Sequence, residues 1–167
     1  MTDSQVQTIK QVAQKIASED DRRARLSHTI SELLQERQQM LVGFCDLAAL
    51  HAAGGELAAV LDQLKAFNQM LVDYAALGHF EIYQRIMDGK ERRASINAIA
   101  SEIYPTIART TDYFVEFNDK YEGADDAESL ERLQHDLSLI GEAVAARIDK
   151  EDRLLREMGN QVLFRNN

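Results

Sequence analysis

Apolar residues recur at helical spacing in four long segments, and this pattern constrains the fold more than any other feature of the chain. At about 100° per residue, Leu26, Ile30, Leu33, Met40 and Phe44 fall on one face of the first segment. Alternating strand patterns are absent, and good helix formers (Ala, Leu, Glu, Gln and Arg) dominate the composition. We therefore predict an all-α protein.

Short breaks separate the four segments: AAGG at 52–55, DGKE at 88–91 and EGADDAES at 122–129. They predict long helices over about 22–51, 56–87, 92–121 and 127–158. Residues 4–17 form a further amphipathic segment, which is either a separate short helix or an extension of the first. Pro105 lies opposite the apolar stripe of the third helix, so we expect that helix to continue, kinked, with the proline facing solvent.

The lengths and connections of these helices predict how they are arranged. Short connections make neighbouring helices antiparallel, which favours an up-down-up-down four-helix bundle with an additional N-terminal helical segment. The chain has 167 residues, the length of one domain, so we expect a single domain over residues 1–167.

Charge and composition exclude several classes of protein. The net charge is −9, from 28 acids and 19 bases, which disfavours binding to nucleic acid or to an anionic membrane and favours a basic partner. Cys45 is the only cysteine, and the N-terminus lacks a secretory signal, so a reducing, cytoplasmic location is expected. No histidine follows a glutamate by three residues, and there is no glycine-rich phosphate loop. We expect no metal, cofactor or catalytic site.

Charged residues inside the apolar stripes form one candidate site. Arg37 falls in the middle of the first stripe, and Glu151, flanked by Arg147, falls in the middle of the last. Buried charges are costly unless they are paired, and Tyr74 and Arg85 are predicted to lie at neighbouring levels. Two interpretations remain open. These residues form either an internal polar network that fixes the register of the helices or a polar cavity that opens to a ligand or partner.

The second helix contains a second candidate site, because its segment FNQMLVDYAALGHFEIYQRIM (67–87) has apolar residues on two faces. Phe67, Leu71 and Ile82 belong to the core stripe. Roughly opposite lie Asp73, Ala76, Leu77, Phe80 and Gln84, with Tyr83 on the flank. Either the N-terminal segment covers this face, or it is an exposed apolar patch with a carboxylate. Such a patch usually marks a protein-binding surface and suits a basic, amphipathic helix.

Four blocks in this order resemble the regulator of sigma D family (Rsd/AlgQ). The most specific is LVDYAALGHFEIYQRI, residues 71–86. The others are LQER with LVGFCDL in the first long helix, EIYPTI with FND in the third, and LSLIGEAVAARIDKEDRLL in the last. Together they span about residues 26–157.

The resemblance implies a cytoplasmic, non-enzymatic transcription regulator, an anti-sigma factor that acts notably in stationary phase. Members bind the C-terminal part (region 4) of the housekeeping sigma factor, a basic helix-turn-helix, and block its contacts with core RNA polymerase and the −35 promoter element. This frees polymerase for alternative sigma factors. Some members also bind other regulatory proteins.

The expected sigma-binding residues follow from the resemblance together with the two-faced helix. Asp73 would supply the charged contact and Ala76, Leu77, Phe80 and Tyr83 the apolar area. Gln84 lies beside them, and Leu33 and Arg37 on the first helix would border the site.

The sequence departs from the family at Ser31, Glu32 and Leu33, where members often have Asp-Arg-Trp. An acid is lost, a base becomes an acid, and an aromatic anchor becomes leucine. Affinity or partner choice is therefore expected to differ. Two alternatives stay open: a family member that binds a different regulatory protein, and a ligand-binding or signalling bundle that uses the Arg37/Glu151 interior.

Overall fold

The computed structural model describes residues 3–163 of the chain and the side chains of residues 3–159. It contains the helices α1 (Asp3–Ala52), α2 (Leu57–Gly78), α3 (Gln84–Met87), α4 (Ala94–Tyr121) and α5 (Leu133–Leu163). A π-helical turn (His79–Tyr83) joins α2 to α3, and a 3₁₀ turn (Glu128–Leu130) precedes α5. No strand occurs within residues 3–163, so the predicted all-α class is confirmed.

The π-helical turn interrupts the predicted second helix after Gly78, and the last helix extends to Leu163 and not only to 158. Two further bounds also differ from those predicted. The N-terminal segment is an extension of the first helix, because no glycine or proline between residues 17 and 22 interrupts α1. The last helix begins at Leu133 rather than near 127. The chain first forms the 3₁₀ turn, in which the Asp126 carboxylate accepts a hydrogen bond from the Ser129 amide at 2.8 Å. As predicted, α4 continues through Pro105, which is exposed.

The N-terminal part of α1 does not fold back over α2. Its apolar residues Ile9, Val12 and Ile16 are 54%, 52% and 54% exposed, and Phe80 on the outer face of the second helical segment is 60% exposed. The alternative in which this segment covers the two-faced helix is therefore wrong. A continuous helix carries residues 3–25 along the axis of α1, so they cannot turn back onto that face.

Two glycines with positive φ lie directly after helices. Gly54 (φ 70°) follows α1 and Gly89 (φ 74°) follows α3. After α3, the Lys90 amide donates to the Arg85 carbonyl and the Gly89 amide to the Ile86 carbonyl, as in a Schellman motif. The left-handed conformation that this motif requires is favourable for glycine. The motif stops the helix sharply and holds Arg85 close to Lys90.

The core lies where α1 packs against α2 and α5, and α4 packs against α5 and α2. Aromatic rings from three of these helices meet at its centre. The Phe67 ring lies 5.8 Å from both the Phe44 and Phe117 rings, and Phe117 lies 4.8 Å from Tyr121. Such edge-on and tilted contacts add to the burial of apolar area. The up-down-up-down order and the single domain stay predictions, and residues 1–2 and 164–167 of that domain lie outside the described residues. No helix among the described residues is long and apolar enough to cross a membrane.

Candidate functional site

Glu151, a buried carboxylate of α5, binds side chains from three other helical elements. Its Oε1 accepts hydrogen bonds from Arg37 Nη2 at 2.8 Å and from the Tyr74 hydroxyl at 2.5 Å. Its Oε2 accepts one from the Tyr83 hydroxyl at 3.0 Å. Arg37 also donates to Asp152 Oδ1 at 2.6 Å. The carboxylate thus ties α1, α2 and the π-helical turn to α5.

Arg147 brings α4 into the same network, although it is fully buried. Its Nη1 donates to the Ile107 carbonyl at 3.2 Å and to the Thr110 and Thr111 hydroxyls at 3.1 and 2.8 Å. The guanidinium carbon lies 5.4–5.9 Å from the ring centres of Phe114, Tyr74 and Tyr83. Nε lies 3.9 Å from Glu151 Oε2, but neither Nε nor Nη2 has a hydrogen-bond acceptor among the described residues. The Glu151 charge and the aromatic faces together therefore compensate this buried cation.

The protonation of the network follows from burial and from the charge of Glu151. Burial and then the nearby Glu151 charge raise the pKa of Tyr74 well above its usual value, and the same two causes raise the pKa of Tyr83. Burial lowers the pKa of Arg37, but its hydrogen bonds to Glu151 and Asp152 outweigh that effect, and the net pKa is raised. Both tyrosines are therefore neutral donors, and Arg37 is a permanent cation.

The π-helical turn explains how Tyr74 and Tyr83 reach the same carboxylate. At about 100° per residue, their separation of nine positions would place the two side chains on opposite sides of a regular α-helix. In the turn, the Gln84 amide bonds to the His79 carbonyl five residues earlier, which takes up about one extra residue. This rotates Tyr83 inward, where it is 1% exposed beside Ile82, and leaves Phe80 on the outside.

Above this network, α1, α2 and the π-helical turn form an open groove of about 450 Å³, which we call the acidic groove. Its apolar residues are Ala76, Leu77 and Phe80, and Phe80 is 60% exposed and packs edge-on against His79 at 4.9 Å. The complete lining comprises Glu32, Gln35, Glu36, Gln39, Asp73, Ala76, Leu77, Phe80 and Glu81. The groove therefore combines a mostly polar lining with two half-buried apolar residues, Ala76 and Leu77, and one exposed aromatic ring.

Four of the nine lining residues are acids, and none is lysine or arginine. Asp73 is exposed, and its Oδ1 accepts a hydrogen bond from Gln69 Nε2 at 2.8 Å on the same helix. A carboxylate has about four acceptor sites, so Asp73 retains capacity to accept hydrogen bonds from a cationic partner. A surface of this kind is complementary to an amphipathic helix that carries basic residues beside apolar ones.

Four of the eight expected sigma-binding residues line the acidic groove, and the other four do not. Asp73, Ala76, Leu77 and Phe80 line the acidic groove together. Gln84 is exposed but does not line it.

The prediction that a partner contacts Tyr83, Leu33 and Arg37 is wrong, because all three side chains are buried. Tyr83 and Leu33 are 1% and 0% exposed, because the π-helical turn rotates Tyr83 inward and Leu33 belongs to the core stripe of α1. Arg37 is 8% exposed and bonded to Glu151 and Asp152, so it fixes α1 to α5 and does not line the groove.

The predicted location of Arg85 is also wrong. It was expected in the buried polar network, but it is exposed and forms none of the bonds to Glu151. The extra residue of the π-helical turn directs it away from the core. The other four expected residues, Arg37, Tyr74, Arg147 and Glu151, are buried and are joined by hydrogen bonds, an ion pair and a ring contact, as an internal polar network requires.

The sequence predicted that the first helix borders the site, but it named Leu33 and Arg37 and not the residues of α1 that line the groove. Glu32, Gln35, Glu36 and Gln39 recur at spacings of three and four and so share one face of α1, beside its core stripe. Glu81 also lines the groove but was not predicted as part of the site. The spacing in α1 was a usable signal, but nothing in the sequence paired that face with Asp73.

Comparison with known proteins identifies the family of this chain. The model of the family described as regulator of RNA polymerase sigma(70) subunit, Rsd/AlgQ, matches residues 12–159. A protein named regulator of sigma D from Yersinia enterocolitica is 33% identical over 130 residues, which cover 76% of this chain and 78% of the relative. A regulator of sigma D from Shigella dysenteriae is 34% identical over 129 residues, covering 75% and 80%. The resemblance seen in the sequence is confirmed, and the chain belongs to the Rsd/AlgQ family of sigma(70) regulators.

Proposed function

We propose that this protein is an anti-sigma factor that binds region 4 of the housekeeping sigma factor through the acidic groove. The observation that carries the proposal is the exposed Phe80 ring within a groove that has four acids and no base. Family membership supports a sigma factor as the partner. The basic helix-turn-helix character of region 4 matches the negative charge of the groove and its apolar residues Ala76, Leu77 and Phe80.

Each part of the groove has a distinct role in this proposal. Phe80 inserts into the partner as an aromatic anchor, since exposed aromatic side chains at the centre of an interface contribute most of the binding energy. Leu77 and Ala76 extend the apolar contact, and Asp73 pairs with a basic side chain of region 4. Glu36 and Glu81 add negative charge at the rim, which favours encounter with a basic helix.

The mechanism is steric and involves no catalytic step. Region 4 bound in the groove cannot contact the −35 element or core RNA polymerase, because the same basic surface is covered. Polymerase then becomes available to alternative sigma factors. Arg37 and Tyr74, which directly follow Glu36 and Asp73 in the sequence, maintain the groove by fixing α1 and α2 to Glu151.

The departure from the family pattern affects the rim of the groove more than its anchor. Leu33, at the position of the aromatic residue in many members, is fully buried here. Glu32, at the position of a base, lines the groove and adds an acid to it. We therefore expect Glu32→Arg to weaken binding to region 4, whereas restoring an aromatic residue at position 33 would disturb the core.

The decisive experiment compares Asp73→Arg with Asp62→Arg in titrations with a purified region 4 fragment. Both residues are exposed acids of α2, and Asp62 lies outside the groove. We expect Asp73→Arg to weaken binding by about tenfold or more and Asp62→Arg to leave it nearly unchanged. Neither variant should lower the free energy of unfolding, because neither carboxylate is buried.

A second pair of variants tests the apolar anchor. Phe80→Ala should weaken binding by a comparable factor, and Tyr113→Ala, which removes a 48% exposed aromatic residue from α4, should not. Full affinity for region 4 in both Asp73→Arg and Phe80→Ala would refute the groove as the sigma site. Absence of binding by the wild-type chain would instead support a different regulatory partner.

A further inference from the structure

A second concavity, of about 460 Å³, lies where the N-terminal part of α1 passes residues 81–93. We call it the basic cavity. Its lining includes eight lysines and arginines and three glutamates, a surplus of five positive charges on a chain whose net charge is −9. Like charges repel when they are gathered in one place, so this surplus opposes folding unless an anion neutralises it.

Most of these bases have no internal counter-ion. Three of the eight lie within 4.0 Å of a carboxylate, the closest pair being Arg93 and Glu91 at 2.8 Å. The other five, Lys15, Arg25, Arg85, Lys90 and Arg92, form no ion pair with any described residue. All five are exposed at the wall of the cavity. Their charges are therefore available to an anion from solution.

The backbone brings these bases together from two sides. Lys15 and Arg25 lie on α1, and Arg85, Lys90 and Arg92 lie on α3 and the segment after it. The Schellman motif at Gly89 holds Arg85 beside Lys90 through the bond between the Lys90 amide and the Arg85 carbonyl at 3.0 Å. An anion in the cavity would therefore bridge the extension of α1 to the rest of the protein.

We propose that the basic cavity binds a small anion that contains two or more linked phosphate groups. Bases on both walls suit several phosphate groups better than one, and arginines bind phosphate through paired hydrogen bonds. The volume lies in the range of small-molecule sites, and Ile82, Ile86 and Met158 add an apolar patch that can hold an organic group. A long nucleic acid fits poorly, because Glu81 lines both the basic cavity and the acidic groove.

The test titrates the full-length protein with inorganic tripolyphosphate, orthophosphate and ATP by calorimetry, without any sigma fragment. Tripolyphosphate should bind with one-site stoichiometry and at least about tenfold more tightly than orthophosphate. Tighter binding of ATP than of tripolyphosphate would identify a nucleotide as the natural class of ligand, and the reverse order would identify an inorganic polyphosphate. Whichever of ATP and tripolyphosphate binds more tightly, the result supports a site for linked phosphate groups. Orthophosphate that binds as tightly as tripolyphosphate would overturn the proposal.

A matched pair of variants assigns the binding to the cavity. Arg85→Ala/Arg92→Ala should weaken tripolyphosphate binding by at least about tenfold, whereas Lys65→Ala/Arg109→Ala, which removes two exposed bases elsewhere, should not. Binding should also slow amide hydrogen exchange in residues 15–29 of α1. Equal effects of the two double variants would overturn the proposal, and so would equally tight binding of a polyglutamate peptide.

Discussion

At the residue scale, Glu151 is the side chain on which the alignment of the helices depends most. Glu151→Gln keeps the shape of the side chain but removes the charge that compensates Arg37 and Arg147 inside the protein. Removing one partner of a buried ion pair costs about 3–5 kcal/mol, so we expect the free energy of unfolding to fall by that amount. Urea denaturation followed by circular dichroism measures it.

Asp152→Asn is the matched control for this substitution, because Asp152 also bonds to Arg37 but is 41% exposed. Its loss should lower the free energy of unfolding by about 1 kcal/mol or less. Equal losses in the two variants would contradict a special role for the buried carboxylate. A stable Glu151→Gln protein that no longer binds its partner would favour the polar-cavity interpretation instead.

The buried tyrosines predict how stability changes at alkaline pH. Burial and the Glu151 charge raise the pKa of Tyr74 and Tyr83, so in the folded protein both hydroxyls keep their protons at a pH where an unfolded tyrosine ionises. The unfolded chain then binds fewer protons, and stability falls as the pH rises above about 10. Their contribution is complete below that pH and disappears as the pH rises through the folded pKa values.

Urea unfolding between about pH 9 and pH 11 tests this prediction. The free energy of unfolding should decrease with pH in the wild type and decrease less steeply in Tyr83→Phe, because the protected hydroxyl of Tyr83 is gone. Identical slopes in the two proteins would show that Tyr83 does not retain its proton through burial.

Arg37, Glu151 and Arg147 could be found from the sequence, since a charge in an apolar stripe breaks a pattern that is otherwise regular. Tyr83 could not be assigned in the same way. Its amphipathic side chain is compatible with a surface or an interior, and its face depends on the local helical geometry. The same limit applies to Leu33, which is equally plausible as a core residue and as a replacement for an exposed aromatic anchor.

At the element scale, the π-helical turn is the feature that regular helical periodicity does not reveal. It requires only that hydrogen bonds shift from four to five residues back, and no residue type is needed for that shift. The sequence therefore predicted one helix over 56–87 and correctly placed Ile82 and Ile86 in its core, but it placed Tyr83 and Arg85 on the wrong sides. The continuity of α1 was left open, because residues 18–21 (SEDD) could cap a new helix but include no glycine or proline that would end the one before it.

Because a π-helical turn amounts to one inserted residue, deleting Glu81 should convert it to regular α-helix while Tyr83 still faces Glu151. We expect the deletion to lower the free energy of unfolding by about 1–2 kcal/mol and to keep the fold. Deleting the exposed Val72 from the regular part of α2 instead rotates every later residue by about 100° and removes Tyr74 and Tyr83 from the core.

Near-ultraviolet circular dichroism and urea unfolding distinguish these two deletions. The protein lacking Val72 should lose its fixed aromatic environment, and the protein lacking Glu81 should retain it. If both deletions unfold the chain equally, the π-helical turn is not the site of an extra residue. If both are tolerated, the register of α2 is not fixed by Glu151.

At the scale of the whole molecule, net charge conceals a strong separation of charge. The value of −9 indicated a basic partner, and the acidic groove fits that expectation. The net charge did not indicate the basic cavity, because acids elsewhere in the chain outnumber the bases of the cavity. The separation depends on which helices are neighbours, and periodicity within each helix carries no information about that.

The separation of charge predicts that association with a region 4 fragment depends on salt. Electrostatic steering raises association rates, and exposed charges are screened over about 10 Å at 0.1 M ionic strength. We expect the association rate to fall several-fold between about 0.05 and 0.3 M salt, with a smaller change in the dissociation rate. Stopped-flow mixing measures the rates. Glu36→Gln at the groove should make the association rate less sensitive to salt, whereas Glu122→Gln, an exposed acid just after α4, should not. A salt-independent association rate would show that the acids at the rim do not steer the partner, and would assign the affinity to Phe80 and its apolar neighbours alone.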